Sequence, residues 1–334
     1  MKIAVDAMGG DYAPEEIVKG AVEAARENRQ SRGIILVGVQ ERVREELEKY
    51  NTDGLPITIC HASEIVEMND PPAVAVKKKR DSSISVAADL VRNGEASALV
   101  TAGNTGAAVA ATVLKWRMLS KVDRPAIATV FPAPAGYTLL LDVGANVSCK
   151  PLHLLQYSIM GKVYAEHVMG IRDPKVGLLS VGEESTKGNV FTKEAYRNLQ
   201  NIPGINFVGN VEGKDIFSNT VDVVVTDGFV GNVVLKLSEG VASALQEMLK
   251  SEIEKAIINK VGALLMMSAF KNLKKKADYD EHGGAPLLGV NGVCIICHGR
   301  SSAKAIKNAI NVAEGYVINN VNEHIEDEIR TFLA

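Results

Sequence analysis

The sequence has no basic excess: 37 Lys and Arg face 40 Asp and Glu, a formal net charge of -3 over 334 residues. Phosphate backbones are bound through surplus positive charge, so nucleic-acid binding is not the expected activity. Long apolar runs are missing as well, none reaching the roughly 18 residues that a transmembrane helix needs. Asp6 interrupts the short apolar opening of Ile3, Ala4 and Val5, so no signal-peptide pattern forms and a cytoplasmic protein is expected.

Several catalytic signatures are also absent. The chain contains no G-x-S-x-G elbow, no G-x-x-x-x-G-K-[ST] loop, no G-x-G-x-x-G fingerprint and no H-E-x-x-H pair, so a serine hydrolase of that type, ATP, a dinucleotide and a zincin site all lack a motif. Six scattered histidines show no ligand spacing; no metal and no cofactor are expected. The four cysteines are Cys60, Cys149, Cys294 and Cys297, and the last two spell C-x-x-C-H with His298. That pattern can mark haem attachment or redox chemistry. Here it lies in an apolar stretch that reads as a buried strand, where residues three apart point to opposite faces, so the pair reads as core packing. No linker, repeat or low-complexity tract divides the chain, and a single unit over 1–334 is expected.

What the chain does contain is alternation. Strand-like apolar runs recur at 2–7, 33–39, 57–60, 98–102, 126–131, 137–143, 176–181, 207–209, 221–226 and 293–298. Helical stripes fill gaps at 15–28, 41–50, 84–93, 152–169 and 301–318. The pattern predicts an α/β protein built on a mainly parallel sheet with helices on both faces. Ligands of such sheets collect where loops leave the carboxyl ends of strands.

Five of those loops are rich in Gly, Asn and Asp, and together they suggest one shared site. They supply Asp6, Gly9, Gly10 and Asp11; Gly103, Asn104, Thr105 and Gly106; Asp142 and Asn146; Gly188 and Asn189; and Asp227 and Gly228 as candidate substrate-binding residues. Glycine opens backbone conformations closed to other residues, and Asp and Asn stabilise turns through their own backbone, so each loop alone has a structural explanation. Their repetition after successive strands favours function. The stretch 98–111 reads as strand, loop and helix, with Asn104 or Thr105 as cap and the helix N-terminus suited to an anion. Lys187, in the Gly- and Asn-flanked loop 182–189, can hold a phosphate or a developing oxyanion.

From 238 to 280 the pattern turns long and helical, with Ile257, Ile258, Val261, Leu264, Leu265, Met267 and Phe270 apolar and Lys255, Lys260, Lys271, Lys274, Lys275 and Lys276 basic. A projecting segment of this kind suits a dimerisation helix pair or an amphipathic element on an anionic membrane, and the two uses are compatible.

The blocks DAMGGD at 6–11, TAGNTGA at 101–107, LLLDVGAN at 139–146, KP at 150–151, GN at 188–189, NFVGN at 206–210, VVVTDGF at 223–229 and GGA at 283–285 run in order along the chain. They resemble the PlsX family of bacterial acyl-ACP:phosphate acyltransferases over essentially its whole length. The resemblance implies transfer of a fatty acyl group from acyl carrier protein to inorganic phosphate, yielding acyl phosphate for a downstream glycerol-3-phosphate acyltransferase. It further implies a fold like that of isocitrate and isopropylmalate dehydrogenases and of phosphotransacetylase, a homodimer, and peripheral membrane association. The family's catalytic lysine and asparagine fall on Lys187 and Asn232, the lysine being aligned through Gly188 and Asn189.

The expected chemistry is direct attack of phosphate on the thioester, with phosphate against the amides of 103–106 and Lys187 and Asn232 facing it from neighbouring strands. Acyl carrier protein is acidic, so the basic runs 77–80 and 271–276 are candidate docking patches. Two alternatives stay open: a phosphotransacetylase-like enzyme using acyl-CoA, and a peripheral membrane scaffold resting on 257–270.

Overall fold

Apolar runs of β-branched residues form strands and the striped segments between them form helices, in a computed structural model that describes residues 1–28, 32–277 and 279–332. Asp278 of the 238–280 segment, and the side chains of Lys274 and Lys275 in the second basic run, lie outside the described residues. The first half comprises β1 (Lys2–Asp6), α1 (Glu15–Glu27), β2 (Gly33–Gly38), α2 (Gln40–Leu47), β3 (Ile57–His61), α3 (Pro72–Lys78), α4 (Ser83–Arg92), β4 (Ala98–Thr101) and α5 (Thr105–Trp116). Next come β5 (Ala126–Ala133), β6 (Gly136–Leu141), α6 (Pro151–His167), β7 (Lys175–Leu179), α7 (Val190–Gln200), β8 (Asn206–Val211) and β9 (Val223–Val225). The chain ends with α8 (Gly228–Glu254), α9 (Ile257–Leu265), α10 (Met267–Ala277), α11 (Tyr279–His282), β10 (Ala285–Leu288), β11 (Cys294–Ile296), α12 (Ala303–Ile318) and α13 (Val321–Phe332).

The described strands form one eleven-stranded sheet in the order β3-β2-β1-β4-β11-β10-β5-β6-β9-β7-β8. Strand residues alternate between two apolar clusters: Ile3, Val5, Leu139 and Leu141 pack on one face, Ala4, Leu99, Leu140 and Val224 on the other. Both faces are therefore covered, which is why the strands read as continuous apolar runs. Cys297 and Cys294 divide between the same two clusters, and burial pushes the Cys297 thiol up to about 12. They are core residues on opposite faces.

Strand direction decides where the loops go. β3, β2, β1, β4 and β11 are mutually parallel, as are β6, β9, β7 and β8. Between the blocks, β11–β10, β10–β5 and β5–β6 pair antiparallel. Three reversals turn the second block against the first. The carboxyl ends of the two blocks therefore point in opposite directions, and the registers, which pair Ile296 with Ala285, Leu287 with Ile127 and Ala128 with Leu141, bring those ends to nearly the same level of the sheet, facing each other. The strand that the apolar runs do not predict, β10, is four residues long and contains Pro286, so it carries neither alternation nor length enough to announce itself.

Candidate active site

The first loop group gathers after β1, β4 and β11. Asp6, buried at the end of β1, accepts from Thr101 Oγ1 at 2.7 Å and from the Met8 N–H at 3.3 Å. Burial pushes its carboxyl upward, and the hydrogen bonds partly offset that. The Thr101 hydroxyl in turn accepts from the Gly103 N–H at 3.1 Å. A side chain on Gly9 would meet Asp6 Oδ2 at 2.6 Å and the Gly103 nitrogen at 2.7 Å, so glycine is what lets the two loops touch. Gly10 follows, and the exposed Asp11 ties this loop to the β11 loop by donating its N–H to the Gly299 carbonyl at 2.7 Å.

Asn104 is the cap of α5, accepting from the Ala107 N–H at 3.0 Å, while its amide donates to the Met68 carbonyl at 2.9 Å. Gly106 packs against Pro72 at the start of α3, and Thr105 is exposed. Two amides of this turn, those of Gly103 and Ala107, already have side-chain acceptors. The anion-facing donors left at the helix start are those of its first residues.

The second group follows β6, β9 and β7, which are adjacent in that order. Asp142 is fully buried and accepts from the N–H groups of Ile127, Gly144, Ala145 and Asn146 at 2.8–3.0 Å, and from the Asn146 side chain at 3.2 Å. Burial pushes this carboxyl up too, and those amides pull it back. Asn146 also donates to Tyr157 Oη at 2.9 Å. Asp227 caps α8, accepting from the Phe229 and Val230 N–H groups at 3.0 Å, and Gly228 donates its N–H to the Asn146 carbonyl at 2.9 Å. A Cβ on Gly231 would overlap the Asp142 carbonyl oxygen, so the first turn of α8 is seated directly on this loop. That seat places the exposed Asn232 side chain over Gly144, whose virtual Cβ lies 3.7 Å from Asn232 Cγ.

Lys187 is exposed, and its aliphatic stem lies over Gly182. Its N–H donates to the Glu184 carbonyl at 3.0 Å, and the buried Asn210 donates to the same oxygen at 2.8 Å. Asn189 caps α7 through the Thr192 N–H at 2.9 Å, with Gly188 just before it at φ +91°. Beneath this loop, Ser180 Oγ and Asn210 Oδ1 are buried and have no partner among the described residues. Lys187 thus stands on the loop after β7, and Asn232 in the first turn of α8, after the neighbouring strand β9. Neither neighbours β4, since β11, β10, β5 and β6 intervene between β4 and β9. The 103–106 loop is therefore not beside them along the sheet.

A direct contact between the groups runs through α8. Lys236 lies two turns into that helix, about 12 Å from its start at 1.5 Å per residue, and its Nζ is 3.4 Å from Nε2 of His298, just past β11. Neither residue carries a recognisable motif; His298 was visible in the sequence only as the end of a C-x-x-C-H string. Cys149, beside the Asn146 carbonyl and Tyr157, is held above the ordinary thiol range by burial. Among the described residues no group of three or more His, Cys, Asp and Glu could hold a metal ion.

A family model described as "Fatty acid synthesis protein" matches residues 1–324. The chain is 56% identical over 331 residues to a phosphate acyltransferase of Geobacter sulfurreducens, covering 99% of this chain and 95% of the relative. It is 57% identical over 331 residues to one of Pelotomaculum thermopropionicum, covering 99% and 96%. The chain belongs to the PlsX family. Among solved structures, a phosphotransacetylase from Streptococcus pyogenes aligns with TM-score 0.67 at 16% identity, covering 95% of this chain and 94% of that one. The EutD phosphotransacetylase from Staphylococcus aureus aligns at 0.61 with 14% identity, covering 94% of each chain. These two share the fold, and the PlsX-family match extends across every loop of both groups.

Proposed function

We propose that this chain transfers a fatty acyl group from the thioester of acyl carrier protein to inorganic phosphate, releasing acyl phosphate for a glycerol-3-phosphate acyltransferase. Acyl transfer to phosphate is the activity in the name of relatives at 56–57% identity over almost the whole chain. The observation that carries the mechanism is the placement of Lys187 and Asn232 after two adjacent parallel strands. Phosphate is already a nucleophile near neutral pH, so the protein's task is to position it and to stabilise the charge of the tetrahedral intermediate. Lys187 supplies a cation and Asn232 an amide donor. Cys149, beside the Asn146 carbonyl, is half-buried and its thiol is held above the ordinary range by burial, which favours direct attack over an acyl-enzyme. The assay is acyl-ACP with phosphate, trapped by hydroxylamine. Acyl hydroxamate from acyl-ACP supports the reading, whereas product from acyl-CoA alone transfers it to the phosphotransacetylase-like alternative.

Support for a protein donor comes from a cavity of about 460 Å³ between α3, α4 and α5, lined by Val76, Lys77, Arg80, Asp89, Arg92, Leu114 and Lys115. Lys115 and Arg92 pair with Asp89 at 2.6 and 3.0 Å. Lys77 and Arg80 have no ion-pair partner among the described residues, so the rim presents positive charge around apolar Val76 and Leu114. Leu114 lies about 14 Å along α5 from its first residue at the 103–106 loop, less than the span of an extended phosphopantetheine arm. Replacing Lys77 and Arg80 together by glutamate is expected to raise the KM for acyl-ACP roughly ten-fold or more and to leave that for phosphate unchanged. An unaltered KM for the carrier would move docking to the 271–276 run.

The remaining partners are a second copy of the chain and a membrane surface, served by 238–280 as a projecting arm of one α/β unit. No described helix is long and apolar enough to cross a membrane. Along α8, Val233, Leu237, Val241, Leu245 and Met248 are exposed at helical spacing, and α9 has no buried residue, Leu265 being 80% exposed. Apolar surface of that extent calls for a cover. In Leu264→Glu, loss of vesicle binding with catalysis intact identifies an anchor; loss of dimer and activity together identifies an interface.

A further inference from the structure

The geometry points to an oxyanion site at the junction of the two loop groups, where Lys236 of α8 meets His298 after β11. Its ligand is a phosphate group. In the reaction proposed above, on which this role rests, that group is the acceptor phosphate.

Three observations converge there. The Arg300 N–H donates to His298 Nδ1 at 3.4 Å, which assigns the ring proton to Nε2 in the neutral imidazole. Burial and the Lys236 ammonium hold His298 below its usual pKa, so neutral is the form present near pH 7. Nε2–H and the Lys236 ammonium, 3.4 Å apart, are then both donors, and two donors facing one point are matched by an acceptor between them. A phosphate oxygen supplies that acceptor.

The surroundings fit the same ligand. Glu239, one turn further along α8, accepts from Lys236 at 3.0 Å and so steadies the ammonium from the far side. Asn232 lies one turn earlier, on the same helix face as Lys236, with about 5–6 Å expected between their Cβ atoms. A phosphate held by Lys236 and His298 would therefore lie next to the amide proposed to stabilise the oxyanion, and against the loop where Asp11 and Gly299 are joined. Asp11 and Glu239 are the carboxylates facing His298, and Arg300 is its further cation.

The test uses the full chain. Inorganic phosphate is titrated while the imidazole 15N and 1H resonances of His298 are followed, and a parallel titration uses phosphopantetheine, which offers the donor arm's own phosphate. Saturable movement with inorganic phosphate, abolished in Lys236→Met, is expected. In steady-state assays Lys236→Met and His298→Gln should raise the KM for phosphate, roughly ten- to a hundred-fold for Lys236→Met as a lost hydrogen bond to a charged group implies, with the KM for the acyl donor unchanged. Lys236 is an exposed helix residue, so its variant folds even where a change at the half-buried His298 does not. An unchanged KM for phosphate in Lys236→Met, or movement of His298 by phosphopantetheine and not by phosphate, overturns the assignment. A protein that binds phosphate at His298 yet forms no acyl phosphate would instead fail the proposed reaction and leave the site standing.

Discussion

Lys187→Ala is expected to lower turnover of acyl-ACP with phosphate by about a hundred- to a thousand-fold, the usual cost of removing one donor to a developing oxyanion. The KM for the carrier should change little, because the proposed docking cavity lies on α3, α4 and α5. The loop itself should survive the substitution, since its fold depends on the main-chain N–H of residue 187 and on Asn210, both bonded to the Glu184 carbonyl. Only the exposed side chain is lost. An unchanged melting temperature alongside the fall in turnover separates chemistry from folding. Lys187→Arg should recover part of the rate, as charge is restored while the planar guanidinium cannot reproduce the ammonium's position. If Lys187→Ala stayed within a few-fold of wild-type turnover, the residue would have no part in the reaction.

The second large effect is on stability. Asp142 accepts five hydrogen bonds, four from main-chain amides, and its neighbour Gly231 brings α8 against its carbonyl. Asp142→Asn keeps the size of the side chain but turns one acceptor into a donor facing donors. Each buried amide left without a partner costs about 1–3 kcal/mol, so the substitution should destabilise the protein by about 3–5 kcal/mol, at the upper end for a point change. Urea unfolding at constant slope reads this as a lower midpoint. Activity should fall with it, because Gly144, positioned by the same carboxylate, lies under Asn232. A loss below about 1 kcal/mol would mean that the 142–146 turn is held by something else.

The two effects contrast how much of the site the residues themselves disclose. Asp142, Asp227, Asn104 and Asn189 were all legible as loop residues that organise turns, and each does so: one as a buried hub for amides, three as helix caps. Local hydrogen bonding between residues two to four apart suffices for such roles, so nearby sequence announces them. Lys187 was recognisable through its flanking Gly188 and Asn189, yet nothing local indicated that Asn210, 23 positions later, anchors its loop. His298 and Lys236 are 62 residues apart, and their meeting depends on where an entire strand and an entire helix lie.

Apolar alternation alone determined that this is an α/β protein, located ten of the eleven strands and marked the glycine-rich turns at their carboxyl ends, because hydrophobic periodicity and turn chemistry act over a few residues. Tertiary structure decided which of those turns can share a site. Strand direction is set by pairing between residues far apart in the chain, and three successive antiparallel pairings, β11–β10, β10–β5 and β5–β6, reverse the second block relative to the first. Loops that look equivalent in the sequence thereby approach one level of the sheet from opposite directions. The contact between them runs through α8, whose length, fixed by its own sequence, carries Lys236 to a place beside His298 that is fixed by the packing of the sheet.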